Sequence, residues 1–131
     1  MRFLLIALFV PMVAIADERV PLNQDPVLEN GLRIMAQGYW MRKNCNQVSL
    51  RIFKSLGLVN SLKSRGRALG YSDEELRKYL DDKDEQARVE VLARAEMETF
   101  GLDFDDPETF CEVAIAKTTA DEGFGQYFRV R

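Results

Sequence analysis

The sequence predicts an all-α fold, a single small bundle of about five helices that one disulfide staples together. Apolar residues recur at three- and four-residue steps through most of the chain, which is the spacing of one helix face. Residues typical of helix ends interrupt these runs, and no segment of useful length alternates with period two, so we expect no sheet. Two cysteines follow a segment that is typical of exported proteins.

A leader-like segment precedes the predicted domain. Arg2, an apolar run over residues 3–15 and a small-x-small motif at 14–16 stand in front of two acidic residues. This order is typical of a cleavable secretory signal peptide. We therefore expect residues 1–16 to be removed, residues 17–131 to form one helical domain, and the protein to be periplasmic or secreted. The alternative is a retained anchor, but a spanning helix needs about 20 apolar residues, so we expect no stable membrane span after cleavage.

The first two helices are predicted from end signals and apolar stripes. Asp25 followed by proline is typical of an N-cap and first helical position, and the helix covers about residues 26–43. A second helix is predicted over about residues 48–69, because Gly70 follows it where a left-handed residue commonly ends a helix. The two stripes are Leu28, Leu32, Met35, Tyr39 and Trp40, and Val48, Ile52, Leu56, Val59 and Leu62.

The next two helices are predicted from side-chain caps. Ser72 with Glu75 three residues later is a capping box, and acids in the first turn of the helix over residues 73–80 suit the positive end of its dipole. Asp82 can cap a fourth helix, which we expect to end at Gly101. The predicted buried face of the fourth helix is Val89, Leu92, Ala93, Met97 and Phe100.

A fifth helix repeats the Asp-Pro start of the first. Asp106 is the expected N-cap, and the helix covers about residues 107–118. A last short turn, which Thr119 with Glu122 would cap, is predicted to end near Phe128. The predicted buried residues of the fifth helix are Phe110, Cys111, Ala114 and Ile115.

Cys45 and Cys111 are the only two cysteines of the chain. Arg42 and Lys43 could depress the pKa of the Cys45 thiol, which would favour a reactive cysteine. An oxidising compartment instead favours a Cys45–Cys111 disulfide, and we expect the compartment to decide. Because the closed loop is long, the chain-entropy model gives the bond about 4 kcal/mol of stabilisation.

Several segments together resemble a known family of small exported alphaproteobacterial proteins with two cysteines, a domain of unknown function. The matching segments are "CNQVSLR" at 45–51, "LGYSDEEL" at 69–76, "ARVEVLARA" at 87–95, "DPETFC" at 106–111 and "GFGQYFRVR" at 123–131. They cover nearly the whole of the predicted domain. The resemblance implies an exported helical domain and implies no activity, because none is established for the family.

Catalytic and metal-binding patterns are scarce. The chain has no histidine, which removes the commonest general base, the triads built on it and most zinc sites. The acid-rich segment at 103–108 lacks the spacing of a calcium loop, so we interpret it as a solvated helix cap. We expect no enzyme, no cofactor and no metal, although the 21 acids leave a carboxylate-based wall hydrolase as an open alternative.

Glu96 is the one acid that falls inside the predicted apolar stripe of the fourth helix. A carboxylate there needs a partner or a raised pKa. We therefore treat Glu96 as a candidate buried carboxylate. A structural ion pair with an arginine of the first or second helix, or exposure at the edge of the stripe, explains it better than a proton-active site.

Charge is segregated along the chain. Residues 73–131 carry 17 acids and eight cations, whereas residues 30–72 carry no acid. Arg51, Lys54 and Arg65 share an arc of the second helix and form a candidate face for an anionic ligand or partner. Neutralisation of this basic stretch by the acidic helices is the competing interpretation. The eight cations of residues 30–72 are Arg33, Arg42, Lys43, Arg51, Lys54, Lys63, Arg65 and Arg67.

These observations favour an exported, non-enzymatic helical protein that binds an envelope protein or another, anionic, envelope component. A small periplasmic chaperone is the first alternative, because the chain resembles acid-stress chaperones in size, helicity and single disulfide. The wall hydrolase is the second alternative. We expect no nucleic-acid partner for an exported protein.

Overall fold

The computed structural model describes residues 18–131, and the predicted signal peptide with its cleavage site lies outside the described residues. Residues 18–131 contain five α-helices and one small antiparallel sheet of two strands, so the predicted all-α class is confirmed. The helices are α1 (Pro26–Asn44), α2 (Ile52–Ala68), α3 (Asp73–Asp81), α4 (Lys83–Thr99) and α5 (Glu108–Ala120). The strands are β1 (Val48–Leu50) and β2 (Phe128–Val130), and short 3-10 turns cover Leu22–Gln24 and Gly123–Tyr127.

Side chains cap the helices where the sequence predicts caps. A carboxylate oxygen of Asp25 accepts a hydrogen bond from the Leu28 amide at 3.0 Å, which satisfies a free donor at the start of α1. The Ser72 and Glu75 side chains each accept from the backbone of the other residue, and this confirms the capping box of α3. Asp82 accepts from the first amides of α4.

Three helices end on a residue with positive φ. Gly70 ends α2 with φ of 94°, as predicted, and Gly101 follows α4 with φ of 95°. Asp121 takes the same conformation after α5, with φ of 55°. In each case amides just beyond the helix bond back to carbonyls of its last turn, which satisfies part of the helix end.

The expectation of no sheet is wrong, and so is the start of the second helix. Residues 48–50 form β1, and α2 begins only at Ile52. Val48 pairs with Val130 and Leu50 with Phe128 in an antiparallel register. The pairing partner lies at the other end of the chain, so the local apolar spacing of residues 48–52 could not distinguish a strand from a first helical turn.

The end of the chain differs from the prediction in detail. α5 begins at Glu108, whose amide donates to a carboxylate oxygen of Asp106 at 3.1 Å. Thr119 caps nothing, because no side chain caps the final 3-10 turn and the amide of Glu122 bonds back to α5. The predicted short turn exists, but its start is fixed by backbone bonds.

α1 lies at the centre and packs against α2, α4, α5 and the C-terminal segment. Two clusters of buried residues divide the core along it. The larger cluster comprises Met41, Cys45, Val48, Met97, Leu102, Phe110, Val113, Ala114, Phe124 and Phe128. The smaller cluster comprises Leu22, Leu28, Leu62 and Leu76. The predicted disulfide is present in the larger cluster, where Cys45 at the end of α1 joins Cys111 of α5 with a Cα–Cα distance of 5.0 Å.

Two helical glycines set the spacing of the first three helices. A Cβ atom at Gly31 of α1 would collide with the Leu62 side chain of α2. A Cβ atom at Gly66 of α2 would collide with the Leu76 side chain of α3. Glycine is unfavourable inside a helix, and here it lets a leucine of the next helix pack directly on the backbone.

Parts of the predicted apolar stripes are exposed, which corrects their assignment to the core. Met35 and Tyr39 on α1 are 41% and 62% exposed, and Ile52 and Leu56 on α2 are 62% and 53% exposed. On α4, Leu92 is 40% exposed. No neighbouring element within residues 18–131 buries these side chains, because the stripes are wider than the surfaces that pack on them. None of the described helices combines the length and apolar character of a membrane-spanning segment.

Candidate binding surface

An open apolar groove lies between α1, α2 and the C-terminal segment. Its volume is about 200 Å³, and almost all of its accessible surface is apolar. Phe124 and Phe128, which are 1% and 4% exposed, form its floor. Their rings pack edge to face at a centroid distance of 6.3 Å, which fixes the floor in place. The walls are Ile34 and Met35 from α1 and Leu58 and Val59 from α2.

The groove exists because α1 and α2 are close at one end and separated at the other. Gly31 and Leu62 bring the helices together at the first end. At the other end the C-terminal segment packs against both helices, and the Phe128 ring lies 3.5 Å from the Cβ position of Gly38. The C-terminal segment, which the β1–β2 pairing ties to the residues before α2, therefore supplies the floor of the groove between the two helices.

A smaller and more enclosed depression extends the groove towards α3. It shares Met35 and Val59 with the groove and continues past Leu28 and Leu32 to Leu80. Together the two concavities follow α1 from Leu28 to Arg42, a length of about 21 Å at 1.5 Å per residue.

Only part of the predicted basic stretch is neutralised by acids. Arg33 approaches Glu96 at 3.7 Å, Arg65 pairs with Asp25 at 2.7 Å, and Arg67 pairs with Asp73 at 2.8 Å. In residues 18–131 the other five cations of the stretch form no ion pair. These are Arg42, Lys43, Arg51, Lys54 and Lys63.

Two of these cations mark the ends of the groove. Arg42 lines it beside Tyr39, and Lys63 lines the depression that continues it. Lys63 also acts at longer range on Asp73, whose carboxyl pKa is lowered mainly by the hydrogen bond from Arg67 and further by the charge of Lys63. A cation therefore lines each end of the groove, and Asp73 offsets part of the charge of Lys63.

A second exposed surface lies at the start of α2, and we call it the basic tip. Arg51, Ile52, Phe53, Lys54 and Arg129 line one shallow depression there. Phe53 is 91% exposed, the highest value among the large apolar side chains of the described chain. Arg51 donates a hydrogen bond to the Gln126 carbonyl at 3.3 Å, and the Lys54 ammonium lies 5.7 Å from the centre of the Tyr127 ring.

Comparison with known proteins gives a family but no activity. The sequence model of a family described as "Family of unknown function (DUF5333)" matches residues 20–129. The chain belongs to DUF5333. No curated protein and no solved structure matches the chain significantly. The predicted membership of an uncharacterised family is confirmed.

The structure separates Arg65 from the other two residues of the predicted anion-binding face. Arg65 lies 14 positions beyond Arg51, about 21 Å along α2. Its guanidinium binds the Asp25 carboxylate, which is 2% exposed. The predicted face of the DUF5333 chain is therefore corrected to Arg51 and Lys54, and Arg129 joins them from β2.

Glu96 lies at the edge of α4, with its side chain 36% exposed. The buried side-chain amide of Gln37 donates to the Glu96 carboxylate at 3.1 Å, and the Arg33 guanidinium of α1 lies 3.7 Å from the same carboxylate. This is the structural pair with a first-helix arginine that the sequence favours. Nothing in this geometry gives Glu96 a substrate-facing position.

The acid-rich segment at 103–108 serves as a helix start. Asp103 and Asp106 accept hydrogen bonds from amides within the segment. Across the residues that the structure describes, no three acidic or sulfur ligands converge as a metal site would require.

Neither the groove nor the exposure of Ile52 and Phe53 at the basic tip was predicted from the sequence. Phe53 lies off the apolar stripe of α2, and that position was the available signal of an exposed aromatic residue. Arg129 could not be placed beside Lys54, because their proximity depends on the β1–β2 pairing. The groove depends on how far α2 diverges from α1, which no local spacing encodes.

Proposed function

We propose that this DUF5333 chain is an exported, non-enzymatic binding protein that holds an amphipathic helix of an acidic envelope protein in the groove between α1 and α2. The observation that carries the proposal is an open apolar groove whose rim is charged only by cations.

The apolar character of the groove supports a protein ligand. Met35 and Tyr39 leave much of their surface in water beside a concavity that is itself apolar. Contiguous exposed apolar surface is uncommon on monomeric proteins and commonly marks a site of association. The packed Phe124 and Phe128 rings give a ligand a rigid floor, so binding costs little ordering of the groove.

The length of the groove supports a helical ligand. A concavity of about 21 Å accommodates about 14 helical residues, or nearly four turns. Apolar side chains at positions i, i+3 or i+4, and i+7 of such a helix would project into the groove, which is the usual helix-in-groove mode.

Charge supports acidic flanks on that helix. Arg42 and Lys63 mark the two ends of the groove, and residues 30–72, which supply α1 after its first turn and all of α2, contain no acid. A ligand with acids near both ends gains at each end, whereas a basic ligand is repelled.

Export is supported by the leader-like segment and by the closed Cys45–Cys111 bond. Disulfides persist mainly in oxidising compartments such as the periplasm or the cell exterior. We therefore place the partner in the cell envelope or outside the cell.

Acid-triggered chaperone action is less well supported. The groove is open without any acid-induced change, and neither member of the ion pair that joins α1 to α2, Asp25–Arg65, lines it, although the pair lies beside its Leu28 end. Its hydrogen bond from Arg65 holds the pKa of Asp25 below the usual range. We therefore expect binding at neutral pH, whereas an acid-stress chaperone would bind unfolded clients only in acid.

A matched pair of variants tests the proposal. Met35→Asp places a charge in the groove, and Leu92→Asp places one at a site of nearly equal exposure on α4. The probe is a synthetic amphipathic helix of about 14 residues with leucines on one face and glutamates at both ends. A second probe carries lysines in place of the glutamates.

We expect the acidic probe to bind the wild type and the Leu92→Asp variant. In NMR spectra of the protein, the amide signals that shift when the probe is added should belong to residues of the groove. Met35→Asp should abolish binding with little change in melting temperature, and the lysine probe should bind weakly to all three proteins. Equal binding by both variants, or shifts outside the groove, overturns the proposal. So does sedimentation that shows a dimer abolished by Met35→Asp, because a second copy would then occupy the groove.

A further inference from the structure

We propose that the basic tip docks the protein on an anionic lipid bilayer, with Ile52 and Phe53 inserted at the boundary of headgroups and acyl chains. Arg51, Lys54 and Arg129 would bind the lipid phosphates around them. This inference concerns a surface other than the groove and does not rest on the proposed helix binding.

The exposure of the tip side chains supports insertion. Phe53 is 91% exposed and Ile52 is 62% exposed, and Leu56 follows one turn later with 53% of its surface in water. An aromatic ring that projects this far has little contact with its own protein to lose on transfer. Projecting apolar side chains suit a soft phase that deforms around them, whereas the apolar anchors of protein interfaces usually fill preformed pockets.

The charges around these side chains fit lipid phosphates. Arg51, Lys54 and Arg129 line the same depression as Ile52 and Phe53, and none of the three forms an ion pair within residues 18–131. The segments that supply the tip, residues 30–72 and 123–131, contain no acid. The cations therefore present an unneutralised positive field beside the inserted residues. Apolar insertion and basic attraction together provide the two signals that stable peripheral binding generally needs.

The charge distribution of the whole chain favours the basic tip as the part that faces an anionic membrane. The sequence has a net charge of −3, so the protein as a whole is repelled by an anionic surface. Residues 73–131 hold most of the acids, and the basic tip belongs to the opposite, acid-free stretch apart from Arg129. Binding is therefore expected in one orientation, with the start of α2 towards the lipid.

Vesicle sedimentation of the purified, disulfide-bonded protein tests the inference. The vesicles contain phosphatidylglycerol with phosphatidylcholine, or phosphatidylcholine alone, at low and high salt. Phe53→Ser removes the projecting ring, and Val91→Ser is its control, because Val91 is 67% exposed on α4 away from the tip. The charge variant changes Arg51, Lys54 and Arg129 to glutamine together. Its control changes Arg77, Lys78 and Lys83, which lie on α3 and at the start of α4, in the same way.

We expect binding to phosphatidylglycerol vesicles only, and loss of binding when salt shortens the Debye length from about 14 Å at 50 mM to well under 10 Å. Phe53→Ser and the charge variant should each weaken the partition by about tenfold or more, because each removes one of the two required signals. The two controls should bind as the wild type does. The emission of a Phe53→Trp variant should shift to the blue on these vesicles, above the constant signal of Trp40.

Absence of binding to anionic vesicles at low salt overturns the inference. The inference is also overturned if Phe53→Ser binds as the wild type does and the tryptophan emission of Phe53→Trp does not shift on the vesicles. If polyglutamate displaces the protein completely from the vesicles and Phe53→Ser has no effect on vesicle binding, the tip would be assigned to an acidic protein instead. The Met35→Asp groove variant should bind vesicles normally, so the failure of one proposal leaves the other testable.

Discussion

At the scale of single residues, Asp25 joins two elements through one buried carboxylate. It accepts from the Leu28 amide at the start of α1 and from the Arg65 guanidinium of α2. The hydrogen bond from Arg65 lowers the pKa of Asp25, and burial opposes this by favouring the neutral acid. Glu29 of α1 likewise joins two elements, because it accepts a hydrogen bond from Arg88 of α4, and this bond lowers the pKa of Glu29.

Asp25→Asn should destabilise the protein at neutral pH, because asparagine keeps the helix cap and loses the charge that Arg65 binds. We expect the free energy of unfolding to fall by about 1.5–3 kcal/mol, the range for hydrogen bonds to charged groups. A folded-state pKa below the unfolded value of about 3.9 stabilises the fold at higher pH, and this contribution is lost as pH falls through the folded value. The difference in free energy of unfolding between the wild type and the variant should therefore narrow below about pH 4.

Urea unfolding at a series of pH values measures this gap. Asp73→Asn is the control, because its pair with Arg67 is exposed on both sides and should contribute little. A gap between the wild type and Asp25→Asn that stays constant from neutral pH into acid would contradict the assigned role of the Asp25 charge.

At the scale of elements, the packing of α2 against α1 depends on the absence of a side chain at Gly31. Gly31→Ala should lower the free energy of unfolding by about 1–3 kcal/mol, because the methyl group would displace Leu62 from a packed position. Gly57 is a matched control in the exposed part of α2, where nothing lies near a new Cβ atom. Gly57→Ala should stabilise the protein by up to about 1 kcal/mol through helix propensity alone. Equal effects of the two substitutions would refute the close approach at Gly31.

The elements show how far local sequence signals reach. Caps such as Asp25 and Ser72 and the helix end at Gly70 were predictable, because each depends on residues a few positions apart. Strand β1 was not, because residues 48–50 adopt it only in the presence of Phe128 to Val130. The groove and the basic tip depend on the same distant pairing, so their residues were identified only in part.

At the scale of the whole molecule, the disulfide closes a long loop. Cys45 and Cys111 are 66 positions apart and join the end of α1 to α5. The sequence predicted this bond without geometry, because the compartment and the presence of only two cysteines left one pairing.

Reduction should lower the melting temperature by more than about 10 °C, because the chain-entropy model gives about 4 kcal/mol for a loop of this length. Calorimetry with and without a reductant measures the shift. A variant with both cysteines changed to alanine should melt at the temperature of the reduced wild type and should not respond to the reductant. An oxidised wild type that melts where the double variant does would contradict a stabilising bond.

The β1–β2 pairing also has a consequence for the order of folding. The hairpin of α2 and α3 closes over a few residues and can form early, whereas the pairing of Leu50 with Phe128 closes a loop of about two thirds of the described chain. Phe124 and Phe128 are the floor of the groove. We therefore expect the groove to be among the last features to assemble during folding, after most of the helices have formed.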